Sequence, residues 1–236
     1  MNAYTINWIL LLILSAIWGG AFTLNKFALQ AYSPEVLVTG RLLIAAIVLV
    51  IFVLILFKKI EIKLCDWQYY SFMSIIGIVA PFLLISYGQM GIDSSLAGIL
   101  MSTMPISTLV LSHFFLDDEK MTKMKLIGFV IAFVGIIILI MPGKTILESS
   151  LLDGLSSELM VISGAIFYSF AAVYGKRFKI TNPLNASTGV TLYSAIIMII
   201  YLSFNFDMVP NNIGETSHIS AVIILSLIHI SEPTRR

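Results

Sequence analysis

Two cations stand inside sequence that is otherwise apolar. Lys26 comes late in the first hydrophobic stretch, directly after Asn25, and Arg41 comes early in the second. A charge within a membrane-type segment is costly and by default marks a pathway or a paired structural site. The chemistry open to this pair is attraction of an anionic or zwitterionic group, or gating of one mouth of a passage. The plainer alternative is that each long side chain snorkels to the interface. Polar groups continue further on. Tyr87 and Gln89 follow Pro81, which can kink its segment by deleting one backbone hydrogen bond. Ser102 lies three residues before Pro105, on the same helical face. A broken helix that exposes carbonyls and hydroxyls builds a polar site without charge, although hydroxyls also serve as helix–helix glue. Trp18 carries a single N–H that wants a partner when buried. Tyr168 and Tyr174 offer aromatic faces to an amphipathic solute, against the alternatives of packing and interface anchoring. Gly19 and Gly20 let helices approach closely or flex.

None of this is bond-making chemistry. The sequence has no His-Glu-x-x-His, no Gly-x-Ser-x-Gly and no phosphate-cradling Gly-rich loop with Lys. Its histidines, His113, His218 and His229, are scattered. No catalytic residue, metal site or cofactor is therefore expected. Cys65 is the single cysteine, which excludes an internal disulfide framework.

The elements that must position these residues are membrane helices. The chain has 236 residues, 58% of them hydrophobic and 11% charged, with mean hydropathy +0.98. Soluble domains carry about 25% charged residues, so lipid is the expected solvent. The net charge of +1 argues against a nucleic-acid partner. A span takes roughly 20 apolar residues. That rule places spans near 7–28, 34–57, 68–88, 94–116, 124–142, 156–175 and 184–204, with an eighth beginning near 217.

Basic residues set the orientation. Lys58, Lys59, Lys63, Lys120, Lys123, Lys125, Lys176, Arg177 and Lys179 fall on the N-terminal side, against Lys26, Arg41 and Lys144 opposite. The N-terminus should be cytoplasmic. The chain also repeats. Residues 13–50 align without a gap on 162–199, pairing Ala16 with Ala165, Pro34 with Pro183 and Gly40 with Gly189. The same offset pairs Ser71 with Ser220 and Ile75 with Ile224. Five spans precede the second copy, so it starts from the opposite side. Inverted repeats of this kind place a substrate site between them.

The eighth apolar segment, His218 to Ile230, is too short to cross, and Ser231-Glu232-Pro233-Thr234-Arg235-Arg236 follows it. The final residues resemble translated sequencing-adapter sequence. The expectation is that native sequence ends near Leu225 and that 226–236 is a foreign tail. The alternative is a genuine short variant with its tail folded back to the surface.

In order and spacing the chain resembles the EamA family of the drug/metabolite transporter superfamily. The matching pieces are Trp18-Gly19-Gly20 leading to Lys26, Pro34 followed by Arg41, Ala97 to Pro105 and then Glu119, and the run from Lys125 through Gly128 to Gly135. The second copy departs by carrying Phe167 at the Trp18 position. The resemblance implies an all-α bundle of two inverted five-helix repeats, ten spans in all, of which seven or eight are present here. It implies a first repeat over 1–142, a connector over 143–153 and a truncated second repeat over 154–225. It places Trp18 at a central cavity. The implied function is a secondary carrier of small polar metabolites in the inner membrane. Amino-acid or metabolite export by alternating access is expected, with the bilayer and a small-molecule substrate as partners and a homodimer as the assembly considered. The competing readings are a non-transporting membrane assembly partner and an intramembrane enzyme.

Overall fold

A computed structural model describes residues 3–57, 67–116, 122–140, 150–178, 183–205 and 216–230, and every regular element among them is helical. The elements are α1 (Ala3–Ala28), α2 (Pro34–Phe57), α3 (Trp67–Ser74), α4 (Ala80–Gly91), α5 (Ser94–Leu100), α6 (Thr103–Phe115), α7 (Lys123–Ile140), α8 (Ser150–Arg177), α9 (Pro183–Phe204) and α10 (Thr216–Ile230). In hydrocarbon every backbone group must find an internal partner, which a helix provides within its own segment. Six helical stretches among the described residues are long and apolar enough to cross a membrane: Tyr4–Ala28, Pro34–Phe57, Trp67–Gly91, Ser94–Phe115, Leu155–Arg177 and Pro183–Phe204. The elbow at Glu119, the segment 141–149 and the tail from 231 lie outside the described residues. So do Lys58, Lys59, Lys63, Lys120, Lys144 and Lys179 from the charge count.

Helical irregularities stand beside both prolines. α3 and α4 form one span joined by a π turn, Ile75–Val79, directly before Pro81. The extra residue lets the Ala80 N–H reach back to the Ile75 carbonyl, just before a residue that cannot donate. α5 and α6 are likewise one span, interrupted at Met101–Ser102. Pro105 cannot donate to the Met101 carbonyl, and the Met104 N–H takes that acceptor instead, at 3.0 Å.

The packing defines directions. Lys26 at the end of α1 meets Gln89 and Ile92 at the end of α4, so these two run parallel. α4 meets α8 in reverse order: a Cβ on Gly88 would lie 2.6 Å from the Ser157 carbonyl oxygen, one on Gly164 would lie 2.9 Å from Ile85, and Gly77 faces Ala171. α8 therefore runs opposite to α1, as its place in an inverted second copy requires. The copies also cross in equivalent ways. α10 packs on α1 and α2, while its counterparts by offset, α3 and the π turn, pack on α9 and α8.

Two sequence expectations are corrected. A Cβ at Gly19 or Gly20 would meet nothing within 4 Å among the described residues; the close helix approaches occur at Gly88, Gly91, Gly164 and Gly189. The connector expected to extend to 153 ends earlier, because α8 begins at Ser150. Side chains 4–13 of α1 are exposed throughout, and those of α7 from Lys123 to Gly128 are too, as apolar surfaces facing lipid would be.

Candidate functional site

The polar residues converge where α1 ends, α2 begins and α4 ends. Asn25 is the hub. Its Nδ2 donates to Gln89 Oε1 at 2.7 Å and to Ser86 Oγ at 3.3 Å. Its Oδ1 accepts from Arg41 Nη1 at 3.0 Å. Gln89 Nε2 in turn donates to the Phe22 carbonyl at 2.9 Å. Asn25, Ser86, Gln89 and Arg41 are all buried, the arginine with 8% of its surface accessible. A buried network of this kind is stable only when its members are satisfied. The guanidinium carbon also lies 4.3 Å from the centroid of the Phe82 ring. Stacking on an aromatic face fixes the plane of the fork.

Lys26 does something different. Its ammonium donates to the carbonyls of Gln89 at 2.5 Å, Ile92 at 3.1 Å and Met90 at 3.4 Å. The last turn of a helix leaves carbonyls without intrahelical partners and carries partial negative charge. The lysine caps α4 and ties α1 to the α4–α5 turn. Beside it, the Tyr87 hydroxyl donates to the buried Glu35 carboxylate in the first turn of α2.

Below this cluster lies a cavity of ≈ 50 Å³, room for a few waters at roughly 10–15 Å³ each. Trp18, Asn25 and Arg41 line it from the first two helices, and Phe82, Ser86 and Gln89 from α4. Met101 contributes at the α5–α6 break, Tyr168 from α8 and Ile228 from α10. Tyr168 thus brings in the second copy, and Ile228 lies past Leu225, the end expected for that copy. Trp18 Nε1 is buried with no acceptor among the described residues.

Of the nine pathway residues expected from sequence, Trp18, Asn25, Arg41, Gln89 and Tyr168 meet at this cavity. Lys26 and Tyr87 stand beside it without lining it. Ser102 is exposed in the helix break, and Met101 takes the cavity side. Tyr174 sits at the opposite end of the bundle, among Tyr69, Phe72 and Phe178 with ring centroids 4.0–6.3 Å apart. Pro81 is buried and Pro105 exposed. Sequence reasoning missed Ser86, Phe82 and Glu35. Ser86 and Gln89 share the i, i+3 spacing already used for Ser102 and Pro105, which could have found the first. Glu35 stands one residue inside a predicted span and carried its own warning as a charge.

A bundle of membrane-length apolar helices with a buried polar cluster and a cavity defines a polytopic α-helical membrane protein. The chain belongs to the EamA-like transporter family, which it matches over residues 6–141. It is similar to uncharacterized transporter YoaV of Bacillus subtilis (strain 168), with 29% identity over 83% of this chain and 65% of that relative. An uncharacterized transporter of Archaeoglobus fulgidus is 26% identical over 94% of this chain and 75% of its own length. Uncharacterized inner membrane transporter YedA of Escherichia coli (strain K12) is 24% identical over 80% and 60%. The chain thus spans about two thirds of the length of these relatives. No solved structure matches it significantly.

Proposed function

We propose that this protein is a secondary carrier of small polar metabolites, exporting amino acids or related solutes by alternating access. The single observation that carries this reading is the cavity. It is walled by both copies and roofed by a buried network around Asn25 and Arg41. A carrier needs one central site that each half can expose in turn. The cavity's ≈ 50 Å³ holds a few waters with the halves as they stand. The Lys26 cap is placed to hold one end shut. The repeats are assigned to 1–142 and 154–225. The N-terminus is assigned to the cytoplasmic side of the inner membrane, supported by the nine-to-three excess of basic residues and by an Escherichia coli relative named as an inner membrane transporter.

The test is counterflow. Proteoliposomes preloaded with unlabelled amino acids, one at a time, are diluted into the labelled solute. Transient accumulation above the level of protein-free vesicles is expected for at least one solute. Equal traces with and without protein across the panel would remove the carrier reading and favour an assembly partner.

A further inference from the structure

The Lys26 ammonium sits in a nest of backbone oxygens. It donates to the carbonyls of Gln89 at 2.5 Å, Ile92 at 3.1 Å and Met90 at 3.4 Å. Gln89 and Met90 belong to the last turn of α4, where carbonyls have no partner within the helix. Ile92 follows the helix end in an extended conformation, φ −128° and ψ 161°, and brings a third carbonyl to the same point. A primary ammonium has three protons to donate, and this turn offers three acceptors. Contacts that do not involve Lys26 hold the turn in place. The Gln89 side chain is fixed by Asn25 at 2.7 Å and by the Phe22 carbonyl at 2.9 Å, and Gly91 lies against Ser157 of α8.

Converging carbonyls replace the water shell of a cation, and the unwound ends of broken helices hold ions in this way inside carriers. Here the cation is covalently tethered, on a flexible four-carbon stem. Gly175 stands at the offset position of Lys26 in the second copy, so the tethered cation belongs to one copy. We propose that the end of α4 and Ile92 form a monovalent-cation site that this chain fills with its own ammonium, closing the turn onto α1 without an ion from solution. The site stands on the geometry alone. Its consequence for transport, that this turn gives flux no dependence on dissolved cations, rests on the carrier reading.

The experiment uses the full chain in detergent, in chloride salts at matched ionic strength. Lys26→Ala removes the cation and leaves the carbonyls. Its melting temperature should rise by about 2–4 °C with a bound cation at about five times its dissociation constant. The probes are methylammonium, potassium and sodium. Tetramethylammonium, which has the charge without an N–H and is too bulky for the nest, is the reference. A rise with any of the three probes above the reference supports the site, and the cation that acts names its ligand. Wild-type protein, its site already filled, should melt alike in every salt. If Lys26→Ala does not survive purification, the salts are present from solubilisation onward, and recovery of monodisperse protein replaces the melting temperature. Equal behaviour of Lys26→Ala in all of the salts, or a wild-type gain as large as that of Lys26→Ala, would overturn the inference. Flux separates the two readings. Cation-selective stabilisation of Lys26→Ala without wild-type counterflow of any solute keeps the site and removes the carrier. Wild-type counterflow with no selective stabilisation keeps the carrier and removes the site.

Discussion

Gly40 on α2 and Gly189 on α9 do the same job in opposite halves of the bundle. They are partners in the ungapped sequence offset. Each is the point where the other half's third segment crosses: a Cβ on Gly40 would meet Val222 at 3.4 Å, and one on Gly189 the Tyr70 ring at 2.7 Å. Inside a membrane such crossings are held by close packing and not by hydrophobic exclusion, since lipid is as apolar as a side chain.

The two glycines should therefore respond unequally. Gly189→Ala forces a methyl into the face of a buried ring and should cost about 1–3 kcal/mol. Gly40→Ala makes an ordinary contact and should be close to neutral. Thermal unfolding in detergent measures both; equal costs would mean that α3 and α9 are not in this contact.

Gly88→Ala should be worse than either. Its new Cβ would lie 2.6 Å from the Ser157 backbone oxygen and 2.6 Å from Val161, and a backbone atom cannot rotate away. α4 and α8 would have to separate along their whole interface. Loss of the folded, monodisperse protein on size-exclusion chromatography is the expected result, with wild-type elution and melting as the contrary one.

Asn25→Leu removes one acceptor of Arg41 and the donor to Gln89 together. Leaving buried polar partners unpaired should cost about 2–4 kcal/mol. Tyr174→Phe and Ser102→Ala should change stability by less than about 0.5 kcal/mol and leave flux alone, because neither side chain reaches the cavity. A flux defect in either would place the pathway elsewhere.

Lys26→Gln deletes the charge that caps α4 while keeping a donor. The protein should fold and its flux should change, since the cap ties α1 to the α4–α5 turn. Wild-type flux in counterflow would leave Lys26 with a capping role only.

The helices and their inversion were legible because hydrophobic length, basic loops and the repeat are properties of the one-dimensional string. The irregular turns beside Pro81 and Pro105 were legible because proline's missing donor acts locally. The faces were not legible. Ser102 and Met101 are adjacent, and a break three residues before Pro105 turns one out and the other in, which no period predicts. Lys26 and Asn25 are adjacent as well. Which of them enters the network depends on Gln89, more than 60 residues away. The connector was read to 153 because Asp153 looks like a loop residue, whereas it lies within α8.

The central claim is that the space roofed by Asn25 and Arg41 is an aqueous pathway. It is tested most directly by thiol labelling in a Cys65→Ser background. Ser86→Cys puts a thiol on the cavity wall; Ser74→Cys puts one in a buried contact with the Val190 carbonyl, away from the cavity. A small hydrophilic thiol reagent applied to the folded protein should modify Cys at the first position and not at the second. Ser86→Cys that reacts only after unfolding, no faster than Ser74→Cys, would contradict the account.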